Sequence, residues 1–158
     1  MIYVFYKDYT TKIYELIAFY NRKTFNYILF FRWLIYSLTF SLGSFITGLI
    51  YYRDVSFFSI TNILLSIRFI PNILFLSSLV LVVMCFFKNV YAAILVLTSY
   101  YCIDLLSSGS MFKVFSLGAH TNNFYYGISS QYYILNRLIF ISLSCIFVFI
   151  SCKISSKA

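Results

Sequence analysis

Acidic side chains and histidine are scarce in this chain: 4 Asp and Glu and 1 His among 158 residues. General acid–base chemistry needs such groups positioned against a substrate, and few are on offer. No phosphate loop of the Gly-x-x-x-x-Gly-Lys-Ser/Thr kind occurs, so ATP binding by that route is excluded. His-Glu-x-x-His, Gly-x-Ser-x-Gly and paired carboxylates are missing too. The chain is therefore not read as an enzyme, and no cofactor or metal is implied. Charge is sparse at 10% of residues, against about 25% in ordinary globular domains. One proline and 5 glycines argue against a loop-rich or disordered polypeptide.

Apolar side chains take up the space that charge leaves. Hydrophobic residues make up 62% of the chain and aromatic residues 23%. They concentrate in four stretches, Tyr27–Tyr51, about Ile63–Phe87, Val90–Leu106 and Tyr132–Cys152. Each has the length that a helix needs to cross a bilayer, roughly 17–25 residues. A backbone in lipid must satisfy its own hydrogen bonds, which leaves helices or closed barrels. The runs are continuous rather than alternating, which selects helix. The expected fold is all-α: a polytopic membrane protein of four transmembrane helices, preceded by an amphipathic cytoplasmic helix. The expected parts are a cytoplasmic segment 1–25, a transmembrane unit 26–152 with an outer loop 107–131, and a tail 153–158.

The formal net charge of +8 is not read as a nucleic-acid surface. Its lysines and arginines are scattered at span ends rather than gathered on one polar face. They report topology instead. Lys7, Lys12, Arg22 and Lys23 precede the first span, Lys88 sits between spans two and three, and Lys153 and Lys157 follow the fourth. The positive-inside rule places both termini and the Lys88 turn in the cytoplasm. Met1–Tyr6 meets Lys7 and Asp8 at once, too soon for the apolar core of a cleavable signal. Cys85, Cys102, Cys145 and Cys152 lie within spans and form no Cys-x-x-Cys, so they read as small packing residues.

Within the spans, several polar positions stand out. Arg32 can snorkel to the inner surface, and Trp33 suits a membrane interface. Ser37, Ser41, Ser44 and Gly48 step by four, three and four, a stripe of small residues that lets helices approach closely. Arg68 and Pro71 interrupt the second run, leaving Ile73–Phe87 as its cleanest membrane core. Asp104 lies roughly 21 Å up its span and Arg137 roughly 22 Å up the next, at 1.5 Å per residue. Both fall near the outer boundary. Intramembrane charge is costly and is usually paired or faces water. Asp104 either pairs with Arg137, with Arg68 as a rival, or the charges line the outer mouth of a pathway; alternatively both reach the headgroups. Asn136 sits beside Arg137. In the outer loop, Met111, Phe112, Val114, Phe115 and Leu117 suggest a short helix dipping into the outer leaflet. His120 has no neighbouring ligand residues and reads as a solvated loop residue.

Residues 1–25 differ in character. Ile13, Leu16, Ile17 and Tyr20 fall at helical spacing, with Lys12 and Glu15 elsewhere on the wheel. Such a helix either lies on the headgroups or docks a soluble partner.

Three features in order resemble a family. They are the run Lys12-Ile-Tyr-Glu-Leu-Ile-Ala-Phe-Tyr-Asn-Arg-Lys-Thr-Phe25 leading to Arg32, the pair of spans joined tightly at Lys88-Asn89, and the run Tyr132-Tyr-Ile-Leu-Asn-Arg-Leu-Ile-Phe140 opening the last span. Together they resemble the C-terminal two-thirds of an ABC-2 type permease, the membrane subunit of a bacterial ABC exporter. The resemblance implies that Tyr14, Glu15 and Leu16, with Arg22 following, form a coupling element pressing on a separate ATP-binding subunit. It favours docking over the lipid-surface reading. It places Asn136 and Arg137 at the outer start of the last helix. It also implies a homodimer or heterodimer of permeases in the lipid bilayer of a bacterial plasma membrane. Members usually have six spans and this chain has four, so it is expected to be either a truncated or internally started reading frame or a four-span variant. The competing class is a stand-alone four-helix membrane protein of the immunity, accessory or pore-forming kind.

Overall fold

The computed structural model describes residues 22–51, 63, 66, 67, 69–118 and 130–155. Four α-helices are described: α1 (Arg22–Tyr51), α2 (Phe69–Phe87), α3 (Val90–Leu106) and α4 (Ser130–Ser155), with a 3-10 turn at Lys113–Phe115 between α3 and α4. There is no strand among the described residues. Three stretches are long and apolar enough to cross a membrane: Asn26–Tyr51, Phe69–Phe87 and Ile134–Ile154. The helix α3 is apolar but shorter, with 17 residues.

The helix α2 is the hub. Its apolar window is 44% buried, against 22% for α1 and 33% for α4, and it packs on α1, α3 and α4. Its mean hydropathy is the highest of the three spans, as befits a helix surrounded by others. The connection to α3 takes two residues. Lys88 adopts a left-handed φ of 51° and sends its N–H to Met84 O at 2.9 Å, ending α2. Asn89 is extended and its Oδ1 accepts the Tyr91 N–H at 2.8 Å, capping α3. That chemistry is local, and α3 has the bounds expected from sequence.

The core divides by level. At the Lys88 end, Leu29, Trp33, Leu81, Met84, Cys85, Ala93 and Val148 cluster. At the other end, Phe75, Leu117 and Phe140 form a second cluster, with the Phe75 and Phe140 rings stacked at 4.6 Å. Trp33 is buried, and its Nε1 donates to Ser77 Oγ at 3.1 Å. Ser77 Oγ itself donates to Leu74 O, so Ser37 Oγ, 3.1 Å away, is the donor to Ser77.

The small-residue stripe of α1 distributes as follows. Ser37, Ser41 and Gly48 are buried and Ser44 is half-buried. A Cβ on Gly48 would lie 3.0 Å from Ser66 Cβ and 3.1 Å from its Cα, so a side chain there requires Ser66 to shift by a few tenths of an ångström. Gly48→Leu is expected to destabilise the bundle by about 1–3 kcal/mol through overpacking. Thermal unfolding in detergent micelles checks this, and an unchanged midpoint would count against a close approach at Gly48.

The cysteines do not share one role. Cys85 is buried and Cys152 half-buried, but Cys102 and Cys145 are exposed, and no disulfide joins the four. Many large apolar side chains face outward, including Ile35, Leu38, Leu42, Leu95, Leu138 and Phe149.

Candidate functional site: a polar clamp on the connection after α3

Polar side chains from three helices converge on the segment that follows α3. Asp104 is 1% exposed, Asn136 1% and Arg137 8%. Asp104 sits in the last turn of α3, Asn72 near the start of α2, and Asn136 and Arg137 in α4. The chain leaves α3 at Ser107 and turns through Ser108 and Gly109, both at positive φ (50° and 79°). After the 3-10 turn it runs extended through Ser116. This strap, Ser107 to Gly118, lies back on the end of the bundle, with Ser116 and Leu117 buried.

Most of the described polar contacts at the clamp's centre are to strap backbone. Asp104 Oδ2 accepts the Leu117 N–H at 2.9 Å. Asn72 Nδ2 donates to Leu117 O at 2.7 Å. Asn136 Nδ2 donates to Ser116 O at 2.9 Å and to Val114 O. Tyr100 Oη donates to Phe115 O. Arg137 Nη1 donates to Asn72 Oδ1, which turns the Asn72 amide so that its nitrogen faces Leu117. Leu117 is thus held by its N–H, its C=O and its side chain at once, the last against Phe75 and Phe140.

The physical reason is accounting of backbone groups. Buried non-helical backbone is tolerated only where protein satisfies its N–H and C=O groups. Three helices supply those partners here. The closed arrangement also carries costs. Asp104 Oδ1 and Asn136 Oδ1 are buried with no hydrogen-bond partner among the described residues, at about 1–3 kcal/mol each. Ser108 and Lys113 (φ 50° and 48°) are left-handed without being glycine, at roughly 1–2 kcal/mol each.

Asp104 and Arg137 do belong to one cluster, but they do not meet directly. The described bonds run from Asp104 through Leu117 and Asn72 to Arg137. Both are buried within the bundle. The apolar loop positions also divide. Leu117 is buried and Phe112 stacks on Tyr100 at 4.5 Å, whereas Met111 is exposed. The expected helix dipping into the leaflet is a 3-10 turn and an extended segment pinned to protein. Tyr14, Glu15, Leu16, Arg68 and His120 lie outside the described residues, and Arg22 is the first residue of α1.

Sequence reasoning missed Asn72 and Tyr100. An asparagine inside an apolar run, one residue after Pro71, carries the same warning as Asp104, since a buried amide needs partners. Two recesses flank α1 elsewhere: about 690 Å³ beside Asn26, Trp33 and Phe149, and about 500 Å³ beside Gly43, Ser44 and Leu97. Both have mainly apolar walls and no convergent charge. Among the described residues, no group of His, Cys, Asp and Glu suits a metal ion. No protein-family model, curated protein or solved structure matches the chain.

Proposed function

We propose that the chain is a four-span membrane subunit of an ABC-2 type permease. In this reading it lines a substrate pathway in the bacterial plasma membrane and couples to a separate ATP-binding subunit for export. The single observation that carries the membrane reading is the outward surface. Large exposed aliphatic and aromatic side chains on α1, α3 and α4 form faces that water would not tolerate over such an area and lipid would. The helix α3, at roughly 26 Å, reaches the lower limit for a span. The ends of the bundle also differ. Asn26 O and Cys152 Sγ are 3.9 Å apart, so the start of α1 and the end of α4 share a level. The Lys88 turn is at the same end of the bundle, as the shared core cluster there indicates. That concentration of base supports a cytoplasmic end, with the strap outside.

The permease assignment itself rests on the resemblance. It is supported by the burial of Asn136 and Arg137, the two residues which that resemblance puts at the outer start of the last helix. Transport would switch paired subunits between inward- and outward-facing states through contacts that differ between them.

The test is partner capture. The full chain, expressed with its neighbouring genes, is expected to co-purify an ATPase subunit, and Glu15→Arg is expected to lower the yield of that subunit at least about tenfold by reversing the charge of the coupling element. If the chain purifies alone and Glu15→Arg leaves its behaviour unchanged, the permease reading fails. A stand-alone four-helix membrane protein is then the better description. That second reading has an observation in its favour: the polar groups at the Asp104 level are spent on holding the strap.

A further inference from the structure

Leu117 is bound in the manner of a ligand. Five backbone groups of the strap are bonded: the carbonyls of Val114, Phe115, Ser116 and Leu117 accept from Asn136, Tyr100 or Asn72, and the Leu117 N–H donates to Asp104. The large apolar side chain of the segment that enters the bundle is the Leu117 isobutyl group, which joins Phe75 and Phe140, with Tyr100 and Leu143 packed against them. A receptor of this kind reads peptide backbone plus one aliphatic side chain, and is indifferent to the rest of the sequence. The strap fills it incompletely, because Asp104 Oδ1 and Asn136 Oδ1 stay buried without a donor among the described residues. A segment bringing additional N–H groups would fit better. The strap is also bounded by residues in left-handed conformation, Ser108 and Gly109 on one side and Gly118 (φ 63°) on the other. Such points absorb the rotation that lifting it requires.

We propose that the end of the α2–α3–α4 bundle is a binding site for an extended peptide segment bearing an aliphatic side chain, and that Leu117 occupies it in cis. Asp104 and Asn72 take the N–H and C=O of the bound residue, Asn136 takes the preceding carbonyl, and the stacked Phe75 and Phe140 form the floor. Arg137 is a positioning residue, acting through Asn72. Occupation by the strap and by a peptide in trans is mutually exclusive. The site depends on the clamp geometry alone and stands whether or not an ATPase partner exists.

A tethered occupant has an effective concentration on the order of millimolar, so the probe must be tested on a chain whose own occupant is weakened. The experiment uses the full chain in lipid nanodiscs and acetyl-Ser-photoleucine-Gly-amide, with cross-links mapped by mass spectrometry. The wild type is expected to label weakly. Leu117→Ser is expected to label at least about tenfold more strongly at α2 and α4 near Phe75 and Phe140, and adding Asn72→Ala is expected to remove about tenfold of that signal, the value of one ordinary buried hydrogen bond. Circular dichroism shows which variants keep their helices. If Leu117→Ser does not, the milder Leu117→Ala takes its place. Equal labelling of wild type and variant overturns the proposal. So does an absence of labelling at this site in a helical variant, or labelling that Asn72→Ala leaves unchanged.

Discussion

Replacing Asp104 by alanine is expected to destabilise the bundle by about 1–3 kcal/mol, the cost of leaving a buried donor unsatisfied. Two losses combine. The Leu117 N–H, 2.9 Å from Asp104 Oδ2, becomes a buried donor with no acceptor. Arg137, 8% exposed, loses the opposite formal charge at the other end of the relay. Low-dielectric surroundings make such chains cooperative, since each hydrogen bond polarises the next. Asp104→Ala and Arg137→Met together are therefore expected to cost less than the sum of the single variants, by about 0.5–3 kcal/mol. The measurement is unfolding of all four proteins in mixed micelles. Additivity within about 0.5 kcal/mol would mean that Leu117 and Asn72 transmit nothing between the two ends. Asp104→Asn separates the terms, because an amide oxygen still accepts the Leu117 N–H while the formal charge is gone.

Phe140→Ala tests the apolar half of the same site. Phe140 is fully buried and its ring stacks on Phe75 at 4.6 Å with planes 8° apart. In a water-soluble core the substitution costs about 3–5 kcal/mol, part transfer and part cavity. For a bundle in lipid the expected cost is lower, about 2–4 kcal/mol, because the separated helix already keeps its ring in an apolar solvent. The cavity and the lost ring contacts remain. Phe140→Leu, which fills more of the space, is expected to recover about half. Unfolding in micelles again provides the number. A cost under about 0.5 kcal/mol would mean that the stacked pair is not a packed floor beneath Leu117.

The clamp explains why polar residues occur where hydropathy alone would place leucine. Asp104, Asn72, Asn136 and Tyr100 are each matched to a backbone group of an irregular segment, and Arg137 to the Asn72 side chain. The two formal charges do work that neutral side chains could share, and buried charge is weak evidence for stability as such. The left-handed Ser108 and Lys113 and the two unfilled acceptors add to the cost of the closed strap. A segment held by many bonds at appreciable local cost is the kind of element that can exchange one bound state for another.

Much of the architecture was legible from residue order because its causes are local. Four long apolar runs produce four helices through backbone hydrogen bonding alone. Asn89 and Lys88 set the boundary between α2 and α3 by cap and turn chemistry, and the three-and-four spacing along α1 brings Ser37 and Gly48 to one buried face. The similar level of Asp104 and Arg137 along the bundle was also legible, since helical rise converts position into height.

The partners of those charges were decided by tertiary structure. Counting residues along two helices gives their level but not their rotation, nor what lies between them. What lies between is Leu117, which is 13 residues from Asp104 and 45 from Asn72 in the chain. Asn72 in turn is 65 residues from Arg137. No periodicity links such positions. They meet because α2, α3 and α4 end together, leaving a gap that the strap's unsatisfied backbone fills and that these side chains are shaped to bond.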